Sequence, residues 1–274
     1  MNSLFASLAE LERSGDSAAL CTIIREHGSV PRHVGSKMIV FADGRIEGTV
    51  GGGEMESRVI REAQAALREG STRIIAYKLS DPKAGDPGVC GGEMEIFVEP
   101  IQPQPTLLVI GGGHVGKALV HLGKWLGFRV ALSDDRPEFC SPDSVPGADV
   151  YLPVSMAELP RQFKFNSQTY IVMPTRGLPF DVDGLPYLLD LPHAYLGVIG
   201  SRRRWLEAVK RMEANGVAAD KLAGVHAPMG LELNAETPEE IALSILAEIV
   251  MLKRGGTGEP MKMNNMQAIV NGEQ

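Results

Sequence analysis

Apolar and polar residues follow different rhythms in the two parts of this chain. Near the start, Leu4, Phe5, Leu8 and Leu11 recur at helical spacing and predict an amphipathic helix. The segments ALCTIIR (19–25) and KMIVF (37–41) read as short strands. The second runs into Asp43-Gly44, a two-residue hairpin signal. Met55, Val59, Ala63, Ala66 and Leu67 fall on one side of a helix over 54–69. Further strands are expected over 73–79 and 93–98. From 106 onward the pattern changes. Strand-like runs fall at 106–111, 129–135, 168–175 and 194–200, and helices fit between the first pair and after the last. Such alternation predicts a doubly wound parallel sheet following a mixed α/β domain. The closing helix has a marked start, because Thr237-Pro238-Glu239-Glu240 combines an N-cap, a first-turn proline and a capping-box glutamate.

Pro100, Pro103 and Pro105 break any helix between the two patterns, so a linker is expected there. This divides the chain into an N-terminal domain over 1–100, a linker over 101–105, a second domain over 106–254 and a tail over 255–274.

The 274 residues are 44% hydrophobic, enough for two buried cores, and the net charge is −7. That acidic balance argues against a nucleic-acid or anionic-membrane binder. The acidic first helix is not a secretory signal. The apolar run at 241–252 is interrupted by Glu248 and is too short to span a bilayer. Cys21, Cys90 and Cys140 show no paired spacing, and the six histidines show no zinc-type spacing. A soluble cytoplasmic protein is expected.

Gly111-Gly112-Gly113-His114-Val115-Gly116 is a G-x-G-x-x-G that follows an apolar strand and opens a helix. The next strand ends in Asp134-Asp135, at the distance a dinucleotide fingerprint requires. The second domain is therefore expected to be Rossmann-like. Gly111 would make the tight turn, Gly113 would admit the pyrophosphate, and Gly116 would let the helix pack on the sheet. The helix amides beginning at His114 would face the phosphates. Asp134 favours NAD, whereas Arg136 suits the 2′-phosphate of NADP. The alternative is a Rossmann scaffold that no longer binds a dinucleotide.

A second anion signal is Ser201-Arg202-Arg203-Arg204 at a helix start. Cations there oppose the helix dipole unless an anion lies between them and the amides. The alternative is a solvated basic face. No catalytic acid, base or nucleophile is assigned; the loop after the third Rossmann strand offers Thr175 and Arg176, and no carboxylate before Asp181.

In the first domain the pentapeptide GGEME occurs at both 52–56 and 91–95. One copy leads into a helix and the other into a strand. Three glycine-rich segments share this character. The first carries Ser29, Arg32 and Lys37; the second is Gly51-Gly52-Gly53; the third is Cys90-Gly91-Gly92. If they converge, they form a pocket for a phosphorylated, heteroatom-rich ligand beside a thiol. Ordinary tight turns and a buried cysteine are the alternative.

Taken in order, GSVPRHVGSKM (28–38), DGRIEGTVGGGEME (43–56), GVCGGEMEIFVEP (88–100), VIGGGHVGKAL (109–119), GFRVALSDDRPEF (127–139), LGVIGSRRRW (196–205) and HAPMGLELNAETPEEIALSILAEIV (226–250) resemble the XdhC/CoxI family of xanthine dehydrogenase accessory proteins. The resemblance spans roughly 15–255. It implies a dimeric chaperone that binds molybdenum cofactor while the cofactor gains its terminal sulfur, then delivers it to a molybdenum hydroxylase. A cysteine desulfurase and the apo-hydroxylase are the implied partners. Both GGEME copies would line the pterin site, with Cys90 beside molybdenum or its sulfur as a temporary ligand or sulfur guard. Pro174-Thr175-Arg176 stands where family members commonly carry a Thr-His pair. Two rival readings are an NAD(P)-dependent oxidoreductase and a dinucleotide-sensing interaction protein.

Overall fold

A computed structural model describes residues 4–78 and 91–261. The chain divides into two compact units, Met1–Gln104 and Pro105–Gln274.

The N-terminal unit contains α1 (Leu4–Ser14), β1 (Ala18–His27), β2 (Lys37–Phe41), β3 (Ile46–Gly48), α2 (Gly53–Glu69), β4 (Arg73–Lys78) and β5 (Glu93–Ile101). The strands form an antiparallel sheet in the order β3-β2-β1-β5-β4. Alternation along each strand makes two faces. Cys21, Ile23, Met38, Val40, Ile96 and Val98 meet Met55, Val59 and Ala63 of α2 on one face. Ala18 and Ile39 meet Leu4, Leu8 and Leu11 of α1 on the other. Phe5 lies off that stripe and is exposed.

Two local expectations change. The β2–β3 turn is not a two-residue hairpin: Phe41 N–H donates to Arg45 O at 2.9 Å, which leaves three loop residues. Gly44 holds the left-handed position at φ 86°, as three-residue hairpin loops require. Strand β5 also runs through Pro100 to Ile101, one residue into the expected linker. β4 begins with Arg73 opposite Val98, so β5 beyond Val98 is paired only with β1, and a residue without N–H is tolerated there.

The C-terminal unit contains β6 (Thr106–Ile110), α3 (His114–Trp125), β7 (Arg129–Ser133), β8 (Val150–Leu152), α4 (Leu159–Gln162), β9 (Thr169–Met173), α5 (Leu178–Gly184), β10 (Tyr195–Val198), α6 (Arg202–Ala214), α7 (Ala219–Ala223) and α8 (Pro238–Arg254). Its sheet is parallel, in the order β10-β9-β6-β7-β8. Helices α3 and α8 cover one face through Leu119, Val120, Ile245 and Ile249. Helices α4 to α7 cover the other through Leu159, Val182, Ala208, Met212 and Leu222. This is the doubly wound Rossmann-like arrangement. The three-residue strand β8 is not marked by the sequence pattern, because its apolar run is so short. Chain order reverses between β6 and β9, and the carboxyl ends of these strands open the crevice where such sheets bind ligands. Helix α8 begins with the expected capping box of Thr237 and Glu240. Residues 262–274 of the expected tail lie outside the described residues. Among the described residues, no helix is long and apolar enough to cross a membrane.

Candidate functional site

The crevice of the C-terminal unit is built by the glycine turn after β6. Gly111 has φ 126° and its N–H donates to Ser133 O at 2.7 Å. A Cβ on Gly116 would lie 1.9 Å from Gly111 O, so α3 packs on the turn only because no side chain is there. A Cβ on Gly112 would lie 1.9 Å from Phe139 O. That second constraint is invisible in the fingerprint, because Phe139 is brought in by the fold. Gly113, the N-cap of α3, has open space where its Cβ would be. His114 starts the helix and is exposed.

Asp134 follows β7 and is 5% exposed. Its carboxylate accepts from Gly112 N at 2.9 Å, Arg136 N at 3.1 Å, Arg136 Nε at 2.9 Å and Arg136 Nη2 at 3.0 Å. Burial acts to raise this carboxyl. The bonds from Arg136 and Gly112 outweigh it and hold the pKa below the ordinary aspartate value. Its acceptor positions are thus already used within the protein. Asp135 is exposed and forms a two-pronged ion pair with Arg176, at 3.0 and 2.9 Å. Arg176 also stacks on Phe180, with its guanidinium 3.6 Å from the ring centroid. A cavity of about 380 Å³ lies among these groups. Gly111, Gly113, Asp134, Asp135, Thr175 and Arg176 border it, and so do Phe180 and Tyr187.

The arginine run divides. Ser201 caps α6 by accepting from Arg204 N at 3.2 Å. Arg202 and Arg203 are exposed, and neither they nor Ser201 border the 380 Å³ cavity. Arg204 turns inward. Its Nε and Nη2 donate to Asp181 Oδ2 at 3.0 and 2.5 Å, and Nη2 donates to Thr175 Oγ1 at 3.0 Å. Thr175 in turn donates to Asp181. Asp181 is 1% exposed. Burial pushes its carboxyl above the ordinary value, against the lowering from Thr175 and Arg204.

In the N-terminal unit the three glycine segments meet. Ser29 bridges Gly91, and a Cβ on Gly92 would lie 2.3 Å from Ser29 O. A Cβ on Gly51 would lie 2.7 Å from Pro31 Cγ. The same short loop therefore lies against both of the other glycine-rich segments, at Gly51 and at Gly91–Gly92. Gly52, Gly53 and Gly91 hold left-handed φ of 78°, 68° and 68°, with open space on their Cβ side. The amides do not all face outward. Glu56 folds back to accept from Val50 N at 3.2 Å and Gly52 N at 3.3 Å, while Gly51 N donates to Thr49 Oγ1 at 3.1 Å. Arg32 is exposed, and Lys37 Nζ donates to Gly35 O at 3.3 Å. Cys90 lies outside the described residues. Cys21 is buried, and burial pushes its thiol up to about 12, so it is an inert core residue. Cys140 is buried too, and burial raises its thiol. Among the described residues, no group of three or more His, Cys, Asp or Glu side chains is placed to hold a metal ion.

The second unit holds a polar cluster that the sequence did not signal. Tyr195 donates to Glu248 at 2.6 Å, Gly230 N donates to the same oxygen at 2.6 Å, and His226 Nδ1 lies 2.9 Å from the other. It ties the 226–230 segment to α8. No local pattern links these residues; only the helix α8 crossing the sheet brings them together.

Residues 107–249 match the family model for the XdhC Rossmann domain, and residues 11–78 match that for the XdhC and CoxI family. The chain is 34% identical over 257 residues to the uncharacterized Escherichia coli (strain K12) protein YqeB, covering 93% of this chain and 47% of that one. It is 30% identical over 165 residues to a probable xanthine dehydrogenase subunit of Bacillus subtilis (strain 168), covering 58% and 46%. It is 24% identical over 270 residues to the E. coli molybdenum cofactor insertion chaperone PaoD, covering 88% and 85%. The chain spans about half the length of the first two relatives.

Proposed function

The chain belongs to the XdhC and CoxI family, and from that premise we propose that it is an accessory protein that binds molybdenum cofactor. It holds the cofactor during sulfuration and delivers it to a molybdenum hydroxylase of the xanthine dehydrogenase type. The observation that carries this reading is the meeting of the Ser29–Pro31 loop with Gly51 on one side and Gly91–Gly92 on the other. Backbone without side chains at Gly52, Gly53 and Gly91 gives a flat heteroatom-rich ligand a surface to approach closely. Ser29 and Arg32 on that loop and Lys37 at the start of β2 supply a hydroxyl and two cations for a phosphate. Cys90, next in sequence to Gly91, supplies a soft thiolate suited to molybdenum or its sulfur. The apo-hydroxylase, a cysteine desulfurase and a second copy of this chain are the proposed partners. The PaoD likeness supports the insertion step, and the Bacillus relative supports the class of enzyme served.

The test is anaerobic. Purified protein is mixed with isolated molybdenum cofactor, free ligand is removed by gel filtration, and bound molybdenum and pterin are measured for wild type and Cys90→Ala. Near-stoichiometric retention that falls in the variant is expected. No retention by wild type would sink the proposal, and equal retention in the variant would remove Cys90 from it.

A further inference from the structure

We infer that the crevice of the C-terminal unit is a half-site that takes one nucleoside diphosphate and not a dinucleotide. In a doubly wound sheet a dinucleotide lies across the switch point, with one nucleotide on each side of it. Here the two sides differ. At the ends of β6, β7, β8 and β9, bounded by α5, there is a cavity of about 380 Å³, at the low end of the ~300–1,000 Å³ typical of ligand pockets. Tyr187 offers a ring face for a base, and Gly113 leaves the backbone open to a phosphate at the start of α3. Toward β10 the protein fills the space itself. Arg204, Asp181 and Thr175 form a closed hydrogen-bonded group there. The gap they share with Gly200 and Pro228 has no room for a water molecule. Seating a second nucleotide there requires pulling Arg204 off Asp181, which is 1% exposed and would be left as a bare buried charge.

The ribose position agrees. The acid that takes the ribose hydroxyls in a dinucleotide fingerprint is Asp134, and its oxygens are already bonded to Gly112 and Arg136. Among the polar groups left at the cavity are Ser155, Asp183 and the Asp135–Arg176 pair. A phosphate can compete with Asp135 for Arg176.

The experiment is calorimetric titration of the full chain with ADP, GDP and CDP, each compared with NADH and NADPH at one ionic strength. At least one diphosphate should bind within threefold of the tighter dinucleotide, or better than it, because the second nucleotide finds no contacts. A dinucleotide advantage larger than threefold over every diphosphate overturns the inference, and so does no binding by any of the five. Gly113→Val should abolish diphosphate binding with an unchanged melting temperature. If that variant does not fold, Tyr187→Ala at the exposed rim replaces it, with an expected loss of fivefold or more. Unaltered affinity in the folded variant overturns the inference. The titration uses no molybdenum cofactor, so its outcome is separate from that of the chaperone proposal.

Discussion

Arg204 reaches back from the first turn of α6 to Asp181 in α5, twenty-three residues earlier, and closes on its carboxylate at 3.0 and 2.5 Å. Asp181 is buried, so its charge depends on this partner and on Thr175. Removing one member of a buried pair strands the other. Arg204→Met should therefore destabilise the C-terminal unit by roughly 3–5 kcal/mol. Urea unfolding followed by far-UV circular dichroism measures this, and a loss below about 1 kcal/mol would contradict the buried-pair reading.

Asp134 gives a pH prediction of definite sign. Its folded pKa is depressed, so the unfolded chain binds the proton more readily. The stability it contributes is present above the unfolded value of about 4 and is lost as pH falls from there through the folded value. Wild type should lose stability faster than Asp134→Asn between about pH 5 and pH 2. Parallel curves of urea midpoint against pH would refute it.

Asp135 and Arg176 are both substantially exposed, so their ion pair contributes little to folding despite its two-pronged geometry. Arg176→Ala should change stability by no more than about 1 kcal/mol. It should still weaken binding of a nucleoside diphosphate, since it removes a cation and leaves Asp135 to repel the phosphate. A large drop in melting temperature, or unaltered diphosphate affinity, would be the contrary result.

Gly92 tests the meeting of the glycine segments. Its substitution by alanine places a Cβ 2.3 Å from Ser29 O and 2.8 Å from His27 O. Backbone must move, and overpacking of this kind costs typically about 1–3 kcal/mol. Gly92→Ala should lower the melting temperature and the retention of molybdenum cofactor together, whereas the exposed neighbouring Glu93→Ala should lower neither. A Gly92→Ala protein as stable as wild type would show that Ser29 and Gly92 are not in contact in solution.

The repeated GGEME now has a physical account. Met55 and Met94 are both buried in the core between the sheet and α2. The glycines before them hold turns on either side of one loop. The final glutamates diverge: Glu56 caps its own turn, and Glu95 pairs with Arg25 at 2.9 Å. The pentapeptide is thus one solution to two turns, one leading into a helix and one into a strand.

What the chain's order of residues carries is local. Helical and strand periodicity, the Thr237–Glu240 capping box and the Gly111–Gly116 fingerprint each depend on neighbours a few positions apart, and all were legible. The alternation after residue 106 was enough to give the sheet class, because parallel strands need crossovers. The partners of polar side chains were not legible. Arg204 reads as one of three arginines facing an anion, yet it is spent on Asp181. Asp134 reads as a ribose ligand, yet Gly112 and Arg136 hold it. Tyr195 and Glu248, fifty-three residues apart, meet only because α8 packs across the sheet. A charged side chain takes whichever counter-charge the topology brings within about 3 Å. That choice is made between distant segments, after the backbone has settled its layers, so tertiary structure alone decided it.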